Sequence, residues 1–319
     1  MKRLFLIICL AFFYLCSNAH TRLTPETHNY VTVHGDLGAS VLLHNIPNQK
    51  PGAGMNGIIG VDYRLYHNNF LFTIGAEGMY NLFVNPLDNV HDTLMMNDTE
   101  AQLFGMNVLV KSSRDRAHMV NVNVPVLVGG EWGNFYFLVG PKLSLNLYGA
   151  TSSSALATTY GDYDRYYDDF YDMPNHQFET NKPLESGMIA MKWNMNVLAH
   201  VEIGGLFQTV KKHRGYTRYA EKVRTYLSVY ADFGVLNLRS SQGGNPIFGN
   251  RETDQGEVQF YVEPLLTSDL SDGKIFRSLS IGVRYTVSIP MPERGKSYKY
   301  NHKRSSVLNR KRRGTQAYY

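Results

Sequence analysis

Cysteine is almost missing from this sequence: there are two in 319 residues, Cys9 and Cys16. Both fall in an N-terminal stretch that reads as an export signal. Lys2 and Arg3 give a charged start, Leu4 to Cys16 is apolar, and Ser17-Asn18-Ala19 is a small-residue cleavage site. Cleavage after Ala19 would leave no cysteine, which excludes a disulfide, a thiolate metal site and a cysteine nucleophile. The residues before Cys16, Phe13-Tyr14-Leu15, are too large for a lipoprotein site. Long apolar runs are also missing beyond the signal; none reaches the roughly 18 residues that a helical membrane span needs. Tryptophan (2) and charge (18%) are sparse, whereas 22 Tyr, 16 Phe and 28 Gly favour strands and turns.

Net positive charge is confined to the two ends. Residues 291–319 hold nine Lys or Arg against one acid, Glu293, so the formal net charge of +5 belongs to the tail and the body is mildly acidic. A nucleic-acid binder needs a basic face on folded structure, and residues 20–290 do not supply one.

What the body does have is alternation. Val31, Val33, Leu37, Ala39, Val41 and Leu43 lie opposite Thr32, His34, Asp36, Gly38 and Ser40. The same period of two recurs over Met55–Leu65, Phe70–Tyr80, Val120–Val128, Phe135–Leu147, Trp193–Ile203, Val223–Val235 and Leu279–Ile289. These eight runs are long, and their polar faces carry charge in mid-strand. The links after the second, fourth and sixth runs are short (67–69, 131–134, about 208–216). The others (44–54, 85–117, 149–191, 239–275) are longer. Alternating strands joined by short turns on one rim and long loops on the other are the pattern of a transmembrane, antiparallel, up-and-down β-barrel. Eight strands are expected, with both termini on the short-turn, periplasmic side of a Gram-negative outer membrane. Weaker alternation over 101–110 and 257–263 reads as strand extensions or hairpins above the membrane, or makes a ten-stranded barrel the second choice. The divisions are a signal over 1–19, a barrel with long extracellular loops over 20–290, and a basic, disordered periplasmic tail over 291–319.

The stretch Val120-Asn121-Val122-Asn123-Val124-Pro125-Val126, a tight turn, and then Phe135-Tyr136-Phe137-Leu138-Val139-Gly140-Pro141 resembles the PorT-like outer-membrane β-barrel family of Bacteroides-type bacteria. The closing run Ser280-Ile281-Gly282-Val283-Arg284-Tyr285-Thr286-Val287 is similar to the signal read by the barrel assembly machinery. The resemblance, over about residues 28–290, implies a barrel that in one member assists a secretion system. The tail beyond the closing run departs from the family pattern.

On the inward faces, Asp36, Asp62, Glu77, Glu202 and Asp232 stand against Arg64, Lys142, Arg224 and Arg284, with His34 and His200 beside them. A lumen of eight strands is only wide enough for its own side chains, so mixed signs predict a plug of ion pairs, such as Glu202 with Arg224 and Asp232 with Arg284. A conducting pore would favour one sign. Asp162, Asp164, Asp168, Asp169 and Asp172 crowd one loop and are a candidate contact surface or cation site, though without the spacing of a calcium loop. Thr93, in Asp92-Thr93-Leu94, matches a short O-glycosylation signal. Arg310-Lys311-Arg312-Arg313 is a candidate contact for anionic headgroups or an acidic periplasmic protein. His91-Asp92 is the one candidate for a hydrolytic centre, and no nucleophile motif accompanies it. The expectation is therefore a non-enzymatic barrel, structural or accessory to a secretion or surface complex, with no cofactor or resident metal. Its partners would be membrane lipid and neighbouring envelope proteins. A surface hydrolase and a small diffusion pore are the alternatives.

Overall fold

The computed structural model describes residues 27–46, 49–97, 101–163, 169–171, 173, 176, 178–191, 194–208, 223–239, 244–252 and 258–291. The expected signal over 1–19 and the tail beyond 291 lie outside them.

The described residues form twelve strands: β1 Thr27–His44, β2 Ala53–His67, β3 Phe70–Asn97, β4 Leu103–Trp132, β5 Phe135–Asp162, β6 Lys182–Glu185, β7 Ile189–Ala190, β8 Asn196–Gln208, β9 Arg224–Gly234, β10 Phe248–Glu252, β11 Val258–Val262 and β12 Phe276–Pro290. Every pairing between them is antiparallel. Eight strands close a ring in the order β1-β2-β3-β4-β5-β8-β9-β12, and β12 returns to β1 through pairs running from Tyr30 with Pro290 to His44 with Phe276. Each ring strand holds all or most of one of the eight alternating runs; β8 begins at Asn196, after Met195, and β9 lacks Val223 and Val235 at its ends, while Trp193 lies outside the described residues. The sheet numbers ten strands because β6 and β7 also pair with β5, beyond the ring. The second-choice barrel of ten is thereby corrected to eight.

At one rim the connections are tight. β2 turns into β3 through Asn68-Asn69 and β4 into β5 through Gly133-Asn134. Asn68 and Gly133 take φ of 55° and 62°, a left-handed conformation that asparagine and glycine adopt most easily. The third expected link on this rim falls after β8, which ends at Gln208, and 209–222 lie outside the described residues.

Beyond the opposite rim, β3, β4 and β5 continue as a three-stranded flap, each 28–30 residues long against 11–18 for the other ring strands. Segments expected as loops over 85–97, 103–117 and 149–162 are therefore strand, and 103–110 is the expected extension. Residues 258–262 form the other expected hairpin, with β10. The flap's inner face, including Phe104, Met106, Val108 and Val110, buries itself against Leu42, Ile46, Phe248, Phe260, Val262, Leu265, Leu266 and Phe276. This apolar cap sits over the open end of the ring. Two further clusters lie within the ring: Tyr30, Tyr66, Leu71, Leu127, Tyr136, Leu138, Leu206 and Tyr226 near the short-turn rim, and Ile58, Met79, Leu198 and Tyr230 above mid-height.

The ring is inverted relative to a soluble sandwich. Its outward positions at mid-height are Val, Ile, Leu, Phe, Tyr, Met, Ala, Gly, Pro or Thr, with Asn29, His67, His118 and Trp132 nearer the rims; the exposed ones include Leu37, Ile59, Val61, Ile74, Leu143, Ile203, Val229 and Val283. Val124 faces the same way, whereas Asn123 and Arg284 are fully buried. Exposed Arg114, Arg116 and Arg277 begin where this uncharged belt ends.

Candidate functional site: a charged layer across the lumen

The inward positions at mid-height carry the chemistry. Register sets His34 of β1 opposite Gly60 of β2, Gly60 opposite Glu77 of β3, and Asp62 opposite Gly75. On the other side, β1 lays Asp36 directly beside Arg284 of β12, while β8 lays His200 beside Asp232 of β9. Glycine makes the room for this. A Cβ on Gly60 would sit 2.3 Å from His34 Nε2, and one on Gly75 would sit 2.1 Å from Asp62 Oδ1, both far inside van der Waals contact.

Arg284 is the hub. Its Nε donates to Asp36 Oδ2 at 2.8 Å, Nη2 to Glu77 Oε1 at 3.0 Å and Nη1 to Glu202 Oε2 at 3.2 Å. Its guanidinium also lies over the Tyr230 ring at 5.5 Å. Lys142 Nζ reaches Glu77 Oε2 at 2.9 Å and Asp232 Oδ2 at 3.3 Å. Asp232 Oδ1 meets His200 Nδ1 at 2.6 Å, and His200 Nε2 lies 3.3 Å from Glu202 Oε2. Glu202 Oε1 accepts from Ser228 Oγ at 2.8 Å and from the Tyr136 hydroxyl. His34 Nδ1 is 3.1 Å from Asp36 Oδ1, and its Nε2 faces Asp62 Oδ2 at 3.3 Å and Glu77 Oε1 at 3.5 Å. These groups are all nearly inaccessible to solvent.

The inward assignment of Asp36, Asp62, Arg64, Glu77, Lys142, Glu202, Asp232 and Arg284 thus matches the structure, but the two expected pairings do not. Glu202 pairs with Arg284, and Asp232 with Lys142 and His200. The β8–β9 register puts Arg224 opposite Gln208, six residues below Glu202, which is about 20 Å of strand. Arg224 instead donates from Nη1 to Glu131 Oε1 at 3.0 Å near the short-turn rim and covers Tyr66 at 4.6 Å. Asp232 stands opposite Ser280, four residues from Arg284. Arg64 joins no ion pair among the described residues. It lies against the rings of Tyr226 (5.3 Å) and Tyr136 (5.9 Å), a cation–π placement.

Alternation sets Tyr136 and Tyr226 on the inward face, but it does not mark Glu131 or Tyr66. Glu131 falls in the expected short link 131–134, yet it continues the inward odd-numbered series of Asn121 and Asn123. Tyr66 and Tyr226 hydrogen-bond to each other through their hydroxyls, and Tyr226 donates to Glu131 Oε2 at 3.1 Å. This aromatic floor, the charged layer and the apolar cap follow one another up the lumen. A small cavity between the last two is lined by Asn81, Asn121, Asn194, Asn196 and their neighbours.

His34, Asp62 and Glu77 have the spacing of a metal site among the described residues, their ligand atoms lying within 4.8 Å of one another. Both Glu77 oxygens, however, already meet Lys142 and Arg284, so the protein's own cations neutralise it.

The remaining candidates scatter. Of the acidic loop, Asp162 and Asp169 are described, with Asp169 Oδ2 accepting from the Tyr171 hydroxyl at 3.1 Å; Asp164, Asp168 and Asp172 lie outside the described residues. Arg310, Lys311, Arg312 and Arg313 also lie outside them. Thr93 is exposed on β3, its hydroxyl 2.6 Å from Asn107 Oδ1. His91 and Asp92 point to opposite faces: His91 toward the Tyr160 hydroxyl (3.3 Å), and Asp92 toward the backbone N–H of Phe248 (3.3 Å). They do not converge.

No family model matches this chain, and no curated protein does either. The PorT-like resemblance therefore rests on the strand motifs alone.

Proposed function

We propose that this chain is a non-enzymatic, integral outer-membrane β-barrel, PorT-like in type and closed by its own side chains, which serves a structural or accessory role in a secretion or surface complex. One observation carries the reading: all eight ring strands turn an uncharged, largely apolar belt outward while burying their ionisable groups inward. In water that arrangement would expose apolar surface and bury charge at high cost; in lipid it is the low-energy one. The capped, ion-paired lumen favours a plug over a pore. The flap and cap would then stand outside the cell, with the termini in the periplasm.

The test is to express the full chain with an epitope placed in 98–100, fractionate the envelope, and compare electrophoretic mobility with and without boiling. The reading requires recovery in the outer membrane, a heat-modifiable band and an epitope that added protease removes from intact cells. A soluble periplasmic protein with one mobility would sink it. Crosslinking in those membranes identifies the neighbouring proteins.

A further inference from the structure

The charged layer does not balance with its permanent charges alone. Five carboxylates (Asp36, Asp62, Glu77, Glu202, Asp232) share the buried lumen with three fixed cations, Lys142 and Arg284 in direct ion pairs and Arg64 below them in none among the described residues, and Arg224 is already offset by Glu131 lower down. The deficit is two positive charges, and two histidines remain. His34 of β1 sets Nδ1 against Asp36 of its own strand and Nε2 against Asp62 of β2 and Glu77 of β3, with Arg284 of β12 on the far side of Asp36 and Glu77. His200 of β8 sets Nδ1 against Asp232 of β9 and Nε2 against Glu202 of its own strand. It stacks on the Tyr230 ring, while Lys142 of β5 approaches from beyond Asp232. In each ring, both nitrogens face carboxylate oxygens. A neutral imidazole has one N–H and one lone pair. Either tautomer would therefore press a lone pair against a carboxylate in a lumen with little room for water.

We infer that His34 and His200 are both imidazolium in the closed barrel and that they hold it shut, so that proton release opens a cation-selective path through the lumen. The inference rests on the proposed membrane barrel. Losing either proton leaves a net negative layer in which lone pair and carboxylate repel. The repulsion draws water inward, and an excess of carboxylates selects cations. Closure accordingly holds while each ring carries both protons and is lost when either proton leaves.

The experiment uses the full mature chain, ¹⁵N-labelled at histidine and refolded in detergent, with boiled and unboiled mobility as the check on folding. At about pH 7, two rings should show both nitrogens protonated, and those signals should vanish one each in His34→Gln and His200→Gln. In planar bilayers the wild type should be silent near neutral pH and carry cation-selective current at about pH 10, whereas the double Gln variant should conduct at both. Neutral-ring signals from either residue near pH 7 overturn the inference; so does wild-type current that is flat or absent across this range while the barrel remains heat-modifiable. Failure to form a heat-modifiable species at all would count against the membrane barrel itself. Should the double variant alone fail to fold, the wild-type spectra and pH series still decide.

Discussion

Replacing Arg284 by methionine tests the charged layer at its hub. The change keeps most of the side-chain volume and removes the one group that binds Asp36, Glu77 and Glu202 together. The three acids are not left equally exposed. Glu77 keeps Lys142, and Glu202 keeps His200, Ser228 and Tyr136, but Asp36 retains only His34 as an ionic partner. Breaking a buried pair by removing one partner costs about 3–5 kcal/mol, and with one nearly isolated carboxylate the upper half of that range is expected. Adding Asp36→Asn should return about 0.5–3 kcal/mol as a coupling term, since the stranded charge is gone. The assay is reversible urea unfolding of the barrel in lipid vesicles, read by tryptophan fluorescence and mobility. Trp132 lies near the short-turn rim, beyond the charged layer. A loss below about 1 kcal/mol, typical of an exposed pair, would refute the claim that the layer is dry and mutually dependent; so would strict additivity of the two changes.

Other substitutions probe other parts. Val283→Arg, on the outward belt, should cost roughly 2–4 kcal/mol in vesicles, while Val283→Leu stays within about 1 kcal/mol; equal stability of the two would contradict the assigned face. Gly60→Ala should block assembly of the heat-modifiable form, because the new methyl would meet the His34 ring; normal mobility would show that the layer has slack. Asp115, in the flap, accepts from Leu265 N (2.6 Å) and Ser113 Oγ (2.8 Å), anchoring the cap. Burial holds its carboxyl above the usual carboxylate range despite hydrogen bonds from Ser153, Leu265 and Ser113. The folded state then binds the extra proton, so its contribution is complete below the ordinary carboxylate pKa and falls as pH rises through the raised one. Hydrogen exchange of 258–272 should slow between neutral and mildly acid pH, and Asp115→Asn should remove that dependence. Deleting 294–319 should leave the heat-modifiable barrel intact and weaken a salt-sensitive association with anionic vesicles; failure to assemble would place the tail in the fold.

The ring was legible because a strand buried on one side writes its two faces into alternate residues, and each of the eight runs did so. The flap was not, and the reason is local. The β4–β5 ladder shifts register between Val110 and Ser112 and again between Val120 and Asn121, and Asn89 of β3 takes a φ of 54° at the level of the first shift. In β4 the inward residues are odd-numbered from Asn123 through Met119 to Ser113, and even-numbered, Phe104, Met106, Val108 and Val110, beyond the first shift; the second shift exchanges the faces of β5, at Leu147. An extra residue exchanges the faces. In β5 period two breaks where the sequence run ends, at Leu147; in β4 it persists past Val120 to Ser113, but there the outward face turns from valines to His118, Arg116 and Arg114, and the apolar signal is lost. Lys111, Leu147 and Tyr148 are left outward at the breaks. The strands went on, but their pattern changed phase.

The same distinction separates what was read of the site from what was not. Alternation fixes which wall a side chain faces, so Asp36, Glu77, Glu202 and Arg284 could be assigned to the interior one strand at a time. Ion pairing depends instead on height in the barrel, which is set by the stagger of each strand on its neighbour. That stagger is fixed by turn geometry and by contacts between distant runs. The β8–β9 register sets Arg224 opposite Gln208 rather than Glu202, and nothing in the alternation of either strand reports it. Arg284 meets Asp36 through the closing β1–β12 seam, between residues 248 positions apart. Composition predicted that opposite charges would find one another; only the closed ring decides which. It also explains why the histidines matter: once the fixed cations are placed by stagger, Asp62 is left with His34 alone, and the imidazole is the only side chain in the layer that can gain the charge the geometry demands.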